Sequence, residues 1–258
     1  MNSDRTNSFP LQNNVAIVTG ASQGVGAVIL KGLSQSGAIV CGTGEPYVSE
    51  WQANKNESYI RCNARDGIAF QFLCEEIIEK YGKLSSLVNV TNIDLSILDT
   101  DSKKACLQTE IVSNLKKAIS TSRVVAKLMK KSQGGSILNI IGIGNIIDRP
   151  NSLSYITAKN ALLMMTKKLA EDLKLDNIRL NNIVFGYIQN SPQQLDRISS
   201  IPDLEANPEN QWHDLIRTSV FLVSENSTAI AGQDIFIIGD REKRDRSYRV
   251  FTSIDDNP

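Results

Sequence analysis

Histidine and cysteine are scarce in this 258-residue chain, net charge is absent, and no apolar stretch is long. The single histidine, His213, and the four cysteines, Cys41, Cys62, Cys74 and Cys106, have no CxxC spacing and offer no ligand set for a structural zinc site. The same scatter reads as reduced, mostly buried thiols rather than a disulfide framework, which suits a cytoplasmic protein. His213 falls in a polar stretch and reads as solvated or capping. Lys and Arg together number 28, as do Asp and Glu, so the composition encodes no pull toward nucleic acid or an acidic membrane surface. No uninterrupted apolar run reaches the roughly 18 residues of a bilayer span. The polar start, Met1 to Thr6, does not read as a secretory leader. With 41% hydrophobic and 22% charged residues, what remains is an ordinary globular chain, long enough for one full core.

Short apolar runs alternate with longer amphipathic segments, the pattern of βαβ units building one parallel sheet. Strands are expected at 15–18, 38–42, 59–62, 87–90, 136–141, 180–185 and 234–238. Helices are expected at 26–36, 67–81, 104–131, 154–173 and 214–223. The stretch 191–210, with Pro192, Pro202 and Pro208, reads as loop and short helix. The fold class that follows is α/β: a single doubly wound parallel sheet over 12–240 with helices on both faces. An N-terminal extension, 1–11, precedes it. A charged tail, 241–258, follows and reads as solvated, or alternatively as an arm on a neighbouring subunit.

Residues 19–26 read Thr-Gly-Ala-Ser-Gln-Gly-Val-Gly between a predicted strand and a predicted helix. A strand that leaves through such a turn into a helix builds an anion site. Gly20 permits the turn, Gly24 and Gly26 let backbone approach a pyrophosphate, and the helix N-terminus offers unpaired N–H groups. Further along, Tyr155 and Lys159 are four residues apart on a predicted helix, so both side chains leave the same face. A phenol is a poor acid or base at neutral pH, but a nearby ammonium favours the phenolate and brings its pKa toward working range. Tyr155 then exchanges a proton with a substrate oxygen while a hydride moves at the adjacent carbon. A glycine turn or a Tyr-Lys pair alone is weak; the two together point to a nicotinamide-dependent reductase.

These two motifs resemble those of the short-chain dehydrogenase/reductase family, whose fold is of the Rossmann type. The similarity runs over residues 12 to 240. Ile137-Leu-Asn-Ile140 resembles the strand before that family's active-site serine. Ile178-Arg-Leu-Asn181 followed by Gly186 resembles the strand and turn over the nicotinamide, and Ala231-Gly-Gln233 through Gly239 the closing strand. The resemblance implies a proton relay of Asn114, Tyr155 and Lys159. It implies cofactor contacts from Gly20, Ser22, Gln23, Val25, Glu45, Asn63, Ala64, Asn89, Ile188, Tyr155 and Lys159, and no metal. For Asn63 a turn cap is an equal alternative. It also implies a small-molecule carbonyl or alcohol substrate and a homo-oligomer, dimer or tetramer. Similarity to the 2-deoxygluconate 3-dehydrogenase and 3-oxoacyl-carrier-protein reductase branches is faint.

Departures bear on activity. The serine that the family places thirteen residues before its tyrosine is Gly142 here, and no serine lies between Ile137 and Asn151. Losing one preorganised donor of this kind costs about 10²–10³ in rate. The family's Asn-Asn-Ala-Gly reads Asn89-Val-Thr-Asn92, its Pro-Gly reads Phe185-Gly186, and a threonine after that turn reads Asn190. Neither an acid at Gly44 nor a base at Glu45 is present; Glu45 beside the ribose repels a 2′-phosphate and Gln23 adds no positive charge, which leans toward NAD(H) over NADP(H). The expected activity is a weakened interconversion of a secondary alcohol and a ketone. The alternative is a catalytically impaired dinucleotide-binding protein acting through oligomer or partner contacts.

Overall fold

Aliphatic and β-branched residues make the first strand, β1 (Val15–Thr19), and its successive side chains enter opposite layers of core. A computed structural model of the protein describes residues 10–22, 24–44, 56–91, 103–142, 153–185 and 211–237; for 91, 103–114, 153–159 and 211 it describes backbone alone. The remaining strands are β2 (Ile39–Gly44), β3 (Glu57–Arg61), β4 (Ser86–Thr91), β5 (Gly135–Gly142), β6 (Ile178–Phe185) and β7 (Asp234–Ile237). They form one parallel sheet in the order β3-β2-β1-β4-β5-β6-β7. The helices are α1 (Gly24–Gln35), α2 (Gly67–Tyr81), α3 (Lys103–Met129), α4 (Leu153–Leu173) and α5 (Gln211–Val223). All seven expected strands and five expected helices are present. α1 starts two residues before the expected position and α5 three.

α1 and α5 cover one face of the sheet. There Ala16, Val18, Val40, Val88, Ile140 and Ile183 meet Val28, Leu33, Trp212 and Leu215. α2, α3 and α4 cover the other, where Val15, Ile17, Leu87, Ile137 and Leu180 meet Phe70, Ile77, Val125 and Ala170. Leu11 is buried in the first of these clusters and its N–H donates to Ser36 O, so the core takes in residue 11 of the expected extension. The tail 241–258 and the stretch 191–210 lie outside the described residues.

A polar seam crosses the α3/α4 face. Thr19, Asn89, Asn139, Asn182 and Asp234 are neighbours in strand register from β1 to β7. Asn89 Nδ2 donates to Asn139 Oδ1 at 3.2 Å, and Asn139 Nδ2 to Asn182 Oδ1 at 3.1 Å. Asn182 Nδ2 donates to Asp234 Oδ1 at 2.7 Å. Thr121 and Ser122 of α3 close one end of the seam and Thr166 of α4 its middle. Lys167 Nζ lies 3.2 Å from Asp234 Oδ2 at the outer edge. Buried amides are costly unless bonded, and here each finds its partner on the next strand.

From β1 the chain winds outward through β2 and β3, then returns to β4 and winds the other way. Ligands of open parallel sheets bind outside the strands' carboxyl ends at such a switch point. That point lies between β1 and β4.

Candidate functional site

The turn that leaves β1 is built by glycine where other residues are strained. Gly20 (φ 68°) and Gly24 (φ 55°) are left-handed. A Cβ on Gly26 would stand 2.0 Å from Gly20 O and 3.0 Å from Ala21 Cα, so the first turn of α1 lies directly on the loop before it. Ala21 N–H donates to Thr43 O at 3.1 Å, fixing the turn to β2. Val25 and Ser22 are buried, and the first turn of α1 holds no acid to offset its dipole. The result is a close-packed helix N-terminus at the switch point, suited to an anion. Gln23 lies outside the described residues.

At the end of β2, a Cβ on Gly44 would come within 3.3 Å of both Ser22 Oγ and Tyr59 Oη. Two hydroxyls therefore flank the space that an acid would enter. Glu45 lies outside the described residues. Beyond β3, Asn63 Oδ1 accepts from Arg65 N–H at 3.0 Å, which gives Asn63 the turn-capping geometry, and Ala64 is buried. Asn89 is fully buried, its amide engaged with Asn139, Ser122 and Ala118 O. Its side chain faces the sheet's polar seam.

Tyr155 and Lys159 stand one turn apart near the start of α4, and Asn114 lies within α3. The two helices pack on each other. α4 begins from the carboxyl end of β5, the sheet edge that carries the glycine turn. The side chains of Tyr155, Lys159 and Asn114 lie outside the described residues, as does Ile188. Gly142 closes β5 opposite Phe185, the last residue of β6. A Cβ at 142 would stand 3.1 Å from Phe185 Cζ. The ring therefore presses on the space that a serine side chain needs.

The contacts of Phe185 with Gly142 and of Tyr59 with the end of β2, and the seam role of Asn139 and Asn182, escaped the sequence reading. For the seam a signal existed: 89, 139 and 182 fall on one face of three predicted strands. For Phe185 and Tyr59 none did, because what they touch is set by pairing across strands. Other titratable groups look structural. Burial pushes the Cys41 thiol up to about 11 and Cys74 to about 12. His213, in the first turn of α5, has a buried Nε2 with no partner among the described residues. No set of three metal-ligating side chains occurs among the described residues, and no described helix is long and apolar enough to cross a membrane.

Known proteins with this arrangement agree on what it is. The short chain dehydrogenase model matches residues 14–198. A 3-oxoacyl-[acyl-carrier-protein] reductase of Thermotoga maritima is 27% identical, covering 89% of this chain and 98% of its own. A 3alpha-hydroxysteroid dehydrogenase of Mediterraneibacter gnavus is 26% identical, covering 89% and 97%. Among solved structures, a hydroxysteroid dehydrogenase from Escherichia coli superposes with a TM-score of 0.71 at 25% identity, covering 89% of this chain and 97% of that one. With the glycine turn at the switch point of a seven-stranded parallel sheet, these matches make the chain a member of the short-chain dehydrogenase/reductase family of oxidoreductases.

Proposed function

We propose that the protein is a dinucleotide-dependent oxidoreductase that interconverts a secondary alcohol and a ketone on a small molecule. The observation that carries this reading is the turn at Gly20–Gly26, whose left-handed glycines and uncompensated helix N-terminus stand at the β1/β4 switch point. These features fit a dinucleotide: a glycine turn free of side chains and the unpaired N–H groups at the start of α1 would hold a diphosphate. When bound, the nicotinamide ring gives or takes the hydride.

The chain's own residues handle the proton. In the reductive direction the Tyr155 phenol gives its proton to the carbonyl oxygen as the carbon receives the hydride, leaving a phenolate. Lys159, one turn away, stabilises that phenolate, and Asn114 orders water that returns the proton. Gly142 supplies no hydroxyl to the substrate oxygen, and the Phe185 ring occupies part of that space. An aromatic wall replaces a polar clamp, which lowers the rate and favours substrates with apolar flanks.

Ser22 and Val25 sit in the turn and Ala64 beyond β3, where they can frame the adenosine half, with Gln23, Glu45 and Ile188 completing the contacts. What Asn89 contributes comes through its backbone. NAD(H) is preferred over NADP(H), because Glu45 repels a 2′-phosphate and the turn carries no cation. α3 and α4 support assembly as a dimer or tetramer, and Met164 of α4 is 65% exposed. Three buried free thiols suit a reducing cytoplasm.

A second reading is a dinucleotide-binding protein with little turnover, and the Phe185 ring at Gly142 favours it. Thermal unfolding with each of NAD⁺, NADH, NADP⁺ and NADPH tests the shared premise. Ligand at a hundred times its Kd adds about 2.7 kcal/mol of stability. A Tm unmoved by all four overturns both readings. Carbonyl-dependent oxidation of NADH separates them.

A further inference from the structure

The pairing of β1 with β4 ends at Thr19 and Asn89, one residue before Val90. The Val90 carbonyl lies where β1 turns out of the sheet, and a Cβ on Gly20 would stand 3.3 Å from it. The group that reaches this carbonyl is the ammonium of Lys117, with Nζ donating to Val90 O at 3.0 Å. Lys117 belongs to α3, and its side chain is half-buried. The Thr121 hydroxyl sits 2.8 Å from both Lys117 O and Asn89 Oδ1, so this turn of α3 is tied to the same strand end. The Lys117 ammonium is thus held one carbonyl away from Gly20, at the switch-point crevice.

The turn itself has need of one. Residues 19–26 contain no lysine or arginine, and the α1 dipole offers about half a charge against the two of a diphosphate. A lysine is a compact, strongly hydrated point charge that binds phosphate without the directional demands of a guanidinium. We propose that Lys117 is a positioning residue for the cofactor, its ammonium anchored on Val90 O and serving as the countercharge for the diphosphate beside the Gly20 turn. This rests on the dinucleotide reading above. The same charge attracts an anionic ligand without discriminating between NAD(H) and NADP(H), since both carry the diphosphate.

The experiment compares ADP-ribose, which has the diphosphate but no nicotinamide, with adenosine, which has neither. Calorimetric titrations at low and high salt are run on the wild type, Lys117→Gln, Lys117→Arg and, as a control of equal charge change, Lys116→Gln on the exposed neighbour. Glutamine keeps an N–H donor for Val90 O and removes the charge; where it does not fold, Lys117→Met takes its place with the same criteria. The expected result is ADP-ribose binding about tenfold weaker in Lys117→Gln, with a flatter salt dependence. Adenosine should be unaffected, Lys116→Gln should match the wild type, and Lys117→Arg should recover most of the loss. Equal binding of ADP-ribose by Lys117→Gln and wild type overturns the assignment, as does an equal loss of ADP-ribose and adenosine, which marks a merely structural tie. A wild type that binds neither ligand removes the dinucleotide reading together with this one.

Discussion

The carboxyl ends of β1 and β5, with only β4 between them, have kept very different things. At β1 the features that suit an anion are backbone ones: left-handed glycines, a helix N-terminus pressed on the loop, and a hydrogen bond that fixes the turn to β2. At β5 the expected hydroxyl is gone, and the Phe185 ring from β6 has closed on the glycine left behind. The first end is built of backbone, where a side chain has almost nowhere to intrude. The second depends on one side chain, and its neighbour's aromatic ring crowds the space. Under the proposed function, holding a cofactor and clamping a substrate would be separable properties of this sheet.

The sharpest break in that comparison comes from the glycine turn. Gly26→Ala puts a methyl 2.0 Å from Gly20 O, and backbone on both sides leaves little room for relief. A loss of about 3 kcal/mol or more is expected, read as a lower urea midpoint together with lost NADH binding. A variant with a wild-type midpoint would show that the β1 end is looser than described.

Asn139→Leu strikes the seam beneath both ends. It removes one acceptor from the buried Asn89 amide and one donor from the Asn182 carbonyl, and leaves them Ser122 and Thr166 as remaining partners. Lost hydrogen bonds of this kind cost about 0.5–1.5 kcal/mol each, so chemical denaturation should report a loss of about 1–3 kcal/mol, with NADH affinity largely preserved in the folded fraction. A neutral substitution would mean that water or a rotated amide repairs the seam.

The β5 end is sharpened by a pair of substitutions. Gly142→Ser alone meets the ring tip at 3.1 Å and should raise carbonyl reduction only slightly, because Phe185 must yield a few tenths of an ångström. Combined with Phe185→Leu, which removes that tip, the gain should reach about tenfold or more of the 10²–10³ that such a donor is worth. Additive single effects in steady-state kinetics would sever the proposed coupling between the two positions.

The smallest effect concerns the thiols behind β2. Unfolded cysteine ionises from about pH 9.0, whereas buried Cys41 waits until about 11 and Cys74 until about 12. Between those values the unfolded chain binds fewer protons than the folded one, so stability falls as pH rises and is unaffected below pH 9.0. Alkylation at pH 8, mapped by peptide mass, should leave both thiols unmodified until denaturant is added. Rapid labelling of native Cys41 would contradict its burial.

Much of this was legible in the sequence. The strands betrayed themselves through short aliphatic runs, and the helices through stripes such as Ala161, Leu162, Met165 and Leu169. Boundaries differed by two or three residues, because α1 starts inside the glycine turn and α5 ahead of Trp212. The missing serine was visible as a gap in spacing. Its filling by Phe185 was not, since residues 142 and 185 become neighbours only when β5 pairs with β6. Asn89 shows a related limit: the resemblance implied a cofactor contact there, and the partners of its amide, Asn139 and Ser122, come from strand and helix packing that no local pattern gives. Lys117 gave no local signal, because a lysine in a helix normally faces water.

The run of amides across β4, β5 and β6 also polices assembly. If β4 or β5 slid by a single residue, its asparagine would leave the seam for the opposite face, where the layer under α1 and α5 is largely aliphatic. Parallel strands joined by distant crossovers have little else to tell them where to stop. In this protein the correct alignment is written in four linked side chains, Asn89, Asn139, Asn182 and Asp234, which reach one another in a single register.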